Sequence, residues 1–221
     1  MPNTTGSAAT ARPGQHARPS ALATGALMSW RGIDLVLGAV LAVALGVAFW
    51  GWDSTLYHVV EAAAVGYAPI GSLALGVWVL PAVAGALLIR RPGAALYVEL
   101  IAASVETLLG SKWGWLVMLS GLLQALGVEL AMWLWRWRRF DMVAAVLGGV
   151  LGAVLEICLY EWWQYVPQLA WIHKLVYLAF GMVSCALIAG LGGAALVRAL
   201  ARAGVVDAFP AGREARESHV R

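Results

Sequence analysis

The chain has 221 residues, 62% hydrophobic and only 12% charged, with a formal net charge of +3. A mean hydropathy of +0.78 leaves too little polar surface to cover a water-soluble domain, so the composition is that of an integral membrane protein. The positive charge does not point to nucleic acid, because Lys and Arg fall at the ends of apolar segments and form no basic patch interleaved with aromatics.

Residues 1–29 are rich in Ala, Thr, Ser, Gly and Pro, with Arg12 and Arg18 and no acid. They read as a flexible cytoplasmic tail; the first apolar stretch starts too late for a cleavable signal peptide. Six segments then reach the length a bilayer requires, about 20 apolar residues or fewer where neighbours shield them. They fall at 33–52, 68–89, 94–110, 114–135, 142–163 and 172–200. The expected fold is all-α, a polytopic six-helix bundle over 30–204, followed by a cytoplasmic tail over 205–221.

With the N-terminus cytoplasmic, thirteen arginines fall on the inner side and only Lys112 and Lys174 on the outer. This asymmetry orients a multi-pass cell-membrane protein with both termini cytoplasmic. The outer side is instead rich in aromatics and acids, among them Trp50, Trp52, Asp53, Tyr57, Glu161 and Tyr165.

In the first segment Gly38, Ala42 and Gly46 are four apart, with Ala44 and Ala48 in a second register. Small residues at this spacing let another helix approach closely, either within the bundle or from a second membrane subunit. In the second segment Pro81 removes a backbone donor near Trp78, which faces a cavity or packs in the core.

The third and fourth segments bury Glu99, Glu106, Gln124 and Glu129. A carboxylate at the centre of a membrane helix costs about 2.5 to 3.5 kcal/mol on insertion scales, so such groups face a bundle interior, a partner or a cavity. Glu99 and Glu106 are seven apart, within about 20 degrees of one direction, and form one wall of a site. Glu106 lies toward the outer end, just before Trp113, and suits a ligand; Glu99 fits an internal ion pair or hydrogen bond equally well. Gln124 offers a donor and an acceptor together for a heterocycle edge. Glu129, about 140 degrees away from it, points elsewhere and fits a structural partner.

In the fifth segment Glu156, Tyr160 and Trp163 fall at i, i+4 and i+7, a stripe that can hold an aromatic cation. A belt of interfacial aromatics with the acid paired to Lys174 is the alternative. Cys158 and Cys185 lack paired metal-site spacing, and His16, His58, His173 and His219 are scattered. There is no HExxH, GxSxG or P-loop, so no catalytic residue, resident metal or cofactor is expected, and any ATP is bound by a partner.

The run LGVWVLPAVAGALLIRRPGAALYVELIAASVETLLGSKWG, then LSGLLQALGVELAMWLWRWRRF and the tail LVRALARAGVVDAFPAGRE resemble the YkoE-type substrate-capture (S) subunits of energy-coupling factor transporters, over residues 30–214. The chain departs from that pattern at Ala125, Trp133 and Trp137. The resemblance implies a six-helix subunit that captures thiamine or its hydroxymethylpyrimidine precursor outside the cell. It further implies a transmembrane coupling subunit and two ATP-binding subunits as partners. By side-chain chemistry, Glu106 and Glu156 supply charge and pyrimidine recognition, Gln124 an edge contact, and Trp113, Tyr160, Trp163 and Trp78 the stacking faces. Gly38, Ala42 and Gly46 then form the docking surface for the coupling subunit. Two other readings stand beside this one: capture of a different vitamin or heterocycle, and a membrane enzyme using Glu99 and Glu106 as acid and base.

Overall fold

The computed structural model describes residues 22, 23 and 25–219, so most of the 1–29 tail, with Arg12, His16 and Arg18, lies outside the described residues. Among the described residues ten α-helices follow one another: α1 (Gly32–Ser54), α2 (Tyr57–Gly66), α3 (Leu75–Ile89), α4 (Ala94–Leu109), α5 (Leu116–Leu134), α6 (Met142–Glu156), α7 (Trp162–Gln164), α8 (Trp171–Ser184), α9 (Gly193–Arg202) and α10 (Pro210–His219). A 3-10 turn, Ala68–Ala74, leads into α3, and π-helical turns at Ile157–Glu161 and Cys185–Gly192 join α6 to α7 and α8 to α9.

Among the described residues, five continuous stretches are long and apolar enough to cross a membrane: Gly32–Ser54, Ala68–Ile89, Leu116–Leu134, Met142–Gln164 and Trp171–Arg202. The sixth expected crossing, α4, has 16 residues, about 24 Å at 1.5 Å per residue. It is sheltered because α1, α3 and α5 all pack on it. α3 is the central helix, buried on nearly every face from Val79 to Ile89, which explains why its apolar run shows no polar side.

Close crossings at glycines set the bundle, as two examples show. A Cβ on Gly127 of α5 would strike the backbone of Leu151 and Gly152 in α6. On Gly46 it would come within 2.6 Å of the Ala102 carbonyl oxygen in α4. Gly38, Ala42 and Gly46 are all buried within the chain's own bundle, Gly38 against Ile89 of α3 and Tyr97 of α4 and Gly46 against α4. The docking surface expected from these three residues is therefore corrected: the face of α1 that remains exposed carries Val36, Val40, Val43, Ala44, Val47 and Ala48.

The arginine-rich end is tied by ion pairs. Asp34, fully buried, accepts from Arg91 Nε at 3.0 Å and from Arg31 at 2.5 Å. The chain turns at Gly204 (φ 76°) and returns as α10, whose Glu214 receives both terminal nitrogens of Arg90 at 2.7 and 2.9 Å. Phe209 is buried completely under this return.

Candidate functional site

Two acids, the buried Glu99 and the half-buried Glu129, stabilise the frame. Pro81 interrupts the hydrogen-bond ladder of α3, and the N–H of the next residue, Ala82, is donated at 2.9 Å to Glu99 Oε2. The first turn of α4 has no side-chain cap of its own; Glu129 reaches over from α5 and accepts the Ala95 N–H at 2.9 Å. A carboxylate at a helix N-terminus meets both the unpaired N–H groups and the positive end of the dipole. Glu99 therefore serves α3, while Glu106, on the same face of α4, serves a cavity.

That cavity has a volume of about 280 Å³ and opens at the end of the bundle opposite the arginines, just below the roughly 300 Å³ at which small-molecule sites usually begin. Its walls come from α2, the 3-10 turn, α3, α4, α5, α8 and the stretch from α6 to Val166. Of the seven residues read as ligand contacts, Glu106, Glu156, Gln124, Trp113 and Trp78 line it. Tyr160 and Trp163 are not in its lining. Tyr160 packs edge-on against Tyr165 at 5.4 Å, and the exposed Trp163 lies against Trp171 at 6.4 Å.

The π turn at Ile157–Glu161 is the cause. A stripe at i, i+4 and i+7 assumes 3.6 residues per turn, whereas i to i+5 bonding widens the turn. Glu161, five residues after Glu156, thereby reaches the same cavity. Ser120, Glu61, Tyr57, Tyr165 and Tyr177 also line it, and none of these was read as a site residue from the sequence. Tyr57 and Glu61 are one helical turn apart on α2, a signal available in the sequence; the Glu156 to Glu161 spacing becomes informative only once the π turn is known.

The polar chemistry is one-sided. Gln124 Nε2 donates to Ser120 Oγ at 3.1 Å, and Ser120 in turn donates to Glu156 Oε1. Ser111 Oγ donates to Glu106 Oε1 at 3.0 Å, and Asp53 faces Glu106 from the end of α1. Glu106 Oε2, Gln124 Oε1, Glu156 Oε2 and Glu161 Oε2 are buried without a hydrogen-bond partner. All four belong to lining residues and all are oxygens, while the lining contains no Lys or Arg. Buried polar atoms are normally paired, so this concentration marks a place for a donor-rich or cationic guest.

Three rings of the lining pack together. Tyr57, Trp78 and Trp113 meet edge to face, with centroids 5.2 Å apart for Tyr57 and Trp78 and 5.4 Å for the other two pairs. Burial, reinforced by the carboxylates of Glu61, Glu161 and Asp53, pushes the Tyr57 hydroxyl up to about 12, so it stays neutral. Lys174, the acid's partner in the alternative reading of this stripe, instead sits over the rings of Trp163 and Trp171 at 4.8 and 5.2 Å. Among the described residues no group of three or more His, Cys, Asp or Glu side chains is placed to hold a metal ion.

A helical membrane bundle enclosing an acid-lined, aromatic-walled pocket is the architecture of a protein that captures a small molecule. Comparison with known proteins gives the class. Residues 33–155 match the family described as the permease component of ABC-type cobalt transport systems. The chain is 30% identical over 200 residues to the putative HMP/thiamine permease protein YkoE of Bacillus subtilis (strain 168), covering 88% of this chain and 96% of that one. A crystal structure of an S component of an ECF transporter superposes with a TM-score of 0.80 at 29% identity, over 87% of this chain and 96% of that chain. The chain belongs to the YkoE-type family of S components, the membrane-embedded substrate-binding subunits of energy-coupling factor transporters. It is a transport subunit and not an enzyme, so the reading of Glu99 and Glu106 as an acid and base pair falls.

Proposed function

We propose that this S component captures thiamine or its hydroxymethylpyrimidine precursor from outside the cell. The observation that carries the reading is the set of four unpartnered buried oxygens, on Glu106, Gln124, Glu156 and Glu161, around a cavity walled by Tyr57, Trp78 and Trp113. An aminopyrimidine presents an exocyclic N–H₂ beside a ring nitrogen, which the Gln124, Ser120 and Glu156 chain can meet as acceptors and donor. A thiazolium carries a permanent charge, which suits carboxylates framed by aromatic faces. The name of the Bacillus subtilis relative supports the same ligand class.

Delivery in this reading depends on a transmembrane coupling subunit and two ATP-binding subunits, and the chain itself holds neither ATP nor another cofactor. The coupling subunit docks on the exposed face of α1 that carries Val40, Ala44, Val47 and Ala48. In this reading both termini are cytoplasmic, which the distribution of arginines supports, and the cavity opens outward.

The test is intrinsic fluorescence of the detergent-purified protein titrated with thiamine, hydroxymethylpyrimidine and riboflavin. Twelve tryptophans, two of them in the cavity wall, make stacking visible. Saturable quenching by thiamine or its pyrimidine, with none by riboflavin, is the expected result. Saturation by riboflavin alone would reassign the site to another heterocycle.

A further inference from the structure

We propose that Lys112 is a resident cation which, in the empty protein, holds the place that a ligand's positive charge takes, and which thereby sets the balance between cationic and neutral ligands. This rests on reading the cavity as a site for thiamine or its pyrimidine.

Lys112 lies in the connection between α4 and α5, outside the cavity lining. Its ammonium is 4.1 Å from the centre of the Tyr57 ring and 4.5 Å from that of Trp113, and it donates to Glu61 Oε1 at 2.6 Å. All three of these partners line the cavity. Two aromatic faces and a carboxylate converging on one ammonium form a complete cation subsite, the arrangement that recognises charged nitrogen in ligands. Lys174 also sits on two indoles, but neither Trp163 nor Trp171 belongs to the lining.

The Lys112 side chain is 34% exposed, and its four-carbon stem lets the ammonium swing into water, where it is strongly hydrated. A thiazolium entering the subsite exchanges one cation for another: Tyr57, Trp113 and Glu61 keep a positive partner while Lys112 is released. A neutral pyrimidine gains nothing from these groups and binds deeper, leaving Lys112 in place. Lys112 thus lowers affinity for the cation and leaves the neutral precursor untouched, narrowing the difference between the two.

The experiment compares thiamine and hydroxymethylpyrimidine binding to full-length wild type, Lys112→Met and Lys112→Arg in detergent, in mildly alkaline buffer. Lys112→Met is expected to tighten thiamine about tenfold, from the loss of two ring contacts and one exposed ion pair, with the pyrimidine unchanged and Lys112→Arg close to wild type. Weaker thiamine binding in Lys112→Met, or an equal shift for both ligands, would overturn the proposal.

A second readout uses only wild type. Acetylation of Lys112, followed by peptide mass spectrometry, should rise on saturation with thiamine and stay constant with the pyrimidine. A fall or no change with thiamine would overturn the proposal while leaving the vitamin reading intact. Failure of folded wild type to bind either ligand would overturn both.

Discussion

Glu99 Oε2 lies 2.9 Å from the backbone nitrogen of Ala82, the residue that follows the only proline inside α3. The carboxylate of one helix thus completes the backbone of another, at the point where Pro81 interrupts its ladder. Replacement by alanine strands a buried N–H, which costs about 1 to 3 kcal/mol. Glu99→Ala is therefore expected to lower the unfolding temperature in detergent, whereas Glu99→Gln, which keeps an acceptor, should stay near wild type.

Gly46 and Ala44 test the two faces of α1. Gly46→Ala places a Cβ 2.6 Å from the Ala102 carbonyl oxygen and must push α1 away from α4. Overpacking of this kind costs about 1 to 3 kcal/mol. Ala44→Leu, on the exposed face, is expected to leave the thermal stability of the isolated subunit unchanged. Its effect should appear in pull-down of the coupling subunit, which it should weaken.

The helical plan was legible because a bilayer imposes it. Each of the six apolar segments lies within two residues of the corresponding helical stretch, since length, hydropathy and arginine placement are all local properties. The cavity was legible only where chemistry alone singled a residue out, as with buried Glu106, Gln124 and Glu156. Ser120 and Tyr177 have ordinary sequence surroundings and gain meaning only when α5 and α8 converge. Tyr160 and Trp163 were misplaced because the wide turn at Ile157–Glu161 breaks the 3.6-residue period on which the stripe depended. The assignment of Gly38, Ala42 and Gly46 to a partner failed because small residues serve internal and external contacts alike, and spacing does not say which.

The Lys112–Glu61 pair should respond to acid. The hydrogen bond from Lys112, helped by His58, holds the Glu61 carboxyl below its ordinary value of 4.5. A carboxylate depressed in the folded state contributes above its unfolded pKa and loses that contribution as the pH falls through the folded one. The contact therefore persists at neutral pH and dissolves only below 4.5. Both side chains are partly exposed, so its effect on global stability is small. A pH titration of tryptophan emission should show an acid transition, from Lys112 leaving Trp113, that is absent in Glu61→Gln.

Arg90 and Glu214 hold α10 against the bundle through two hydrogen bonds. Glu214→Ala is expected to loosen the return after Gly204 without unfolding the membrane helices. Limited proteolysis should then cleave within residues 203–209 faster than in wild type, while the binding of cavity ligands is unaltered. Slower ligand binding with unchanged proteolysis would contradict this division of roles.

In the proposed reading, the acidic cavity at the aromatic end binds an aminopyrimidine or its thiazolium conjugate through Glu106 and Glu156. Isothermal titration calorimetry of the purified subunit with thiamine, on wild type and on Glu106→Gln and Glu156→Gln, addresses it directly. One-site binding in wild type, weakened about tenfold or more in either variant, is the expected result, because each substitution removes a charge-assisted contact of about 1.5 to 3 kcal/mol. Absence of binding in a folded wild type, or identical isotherms in all three proteins, would contradict it.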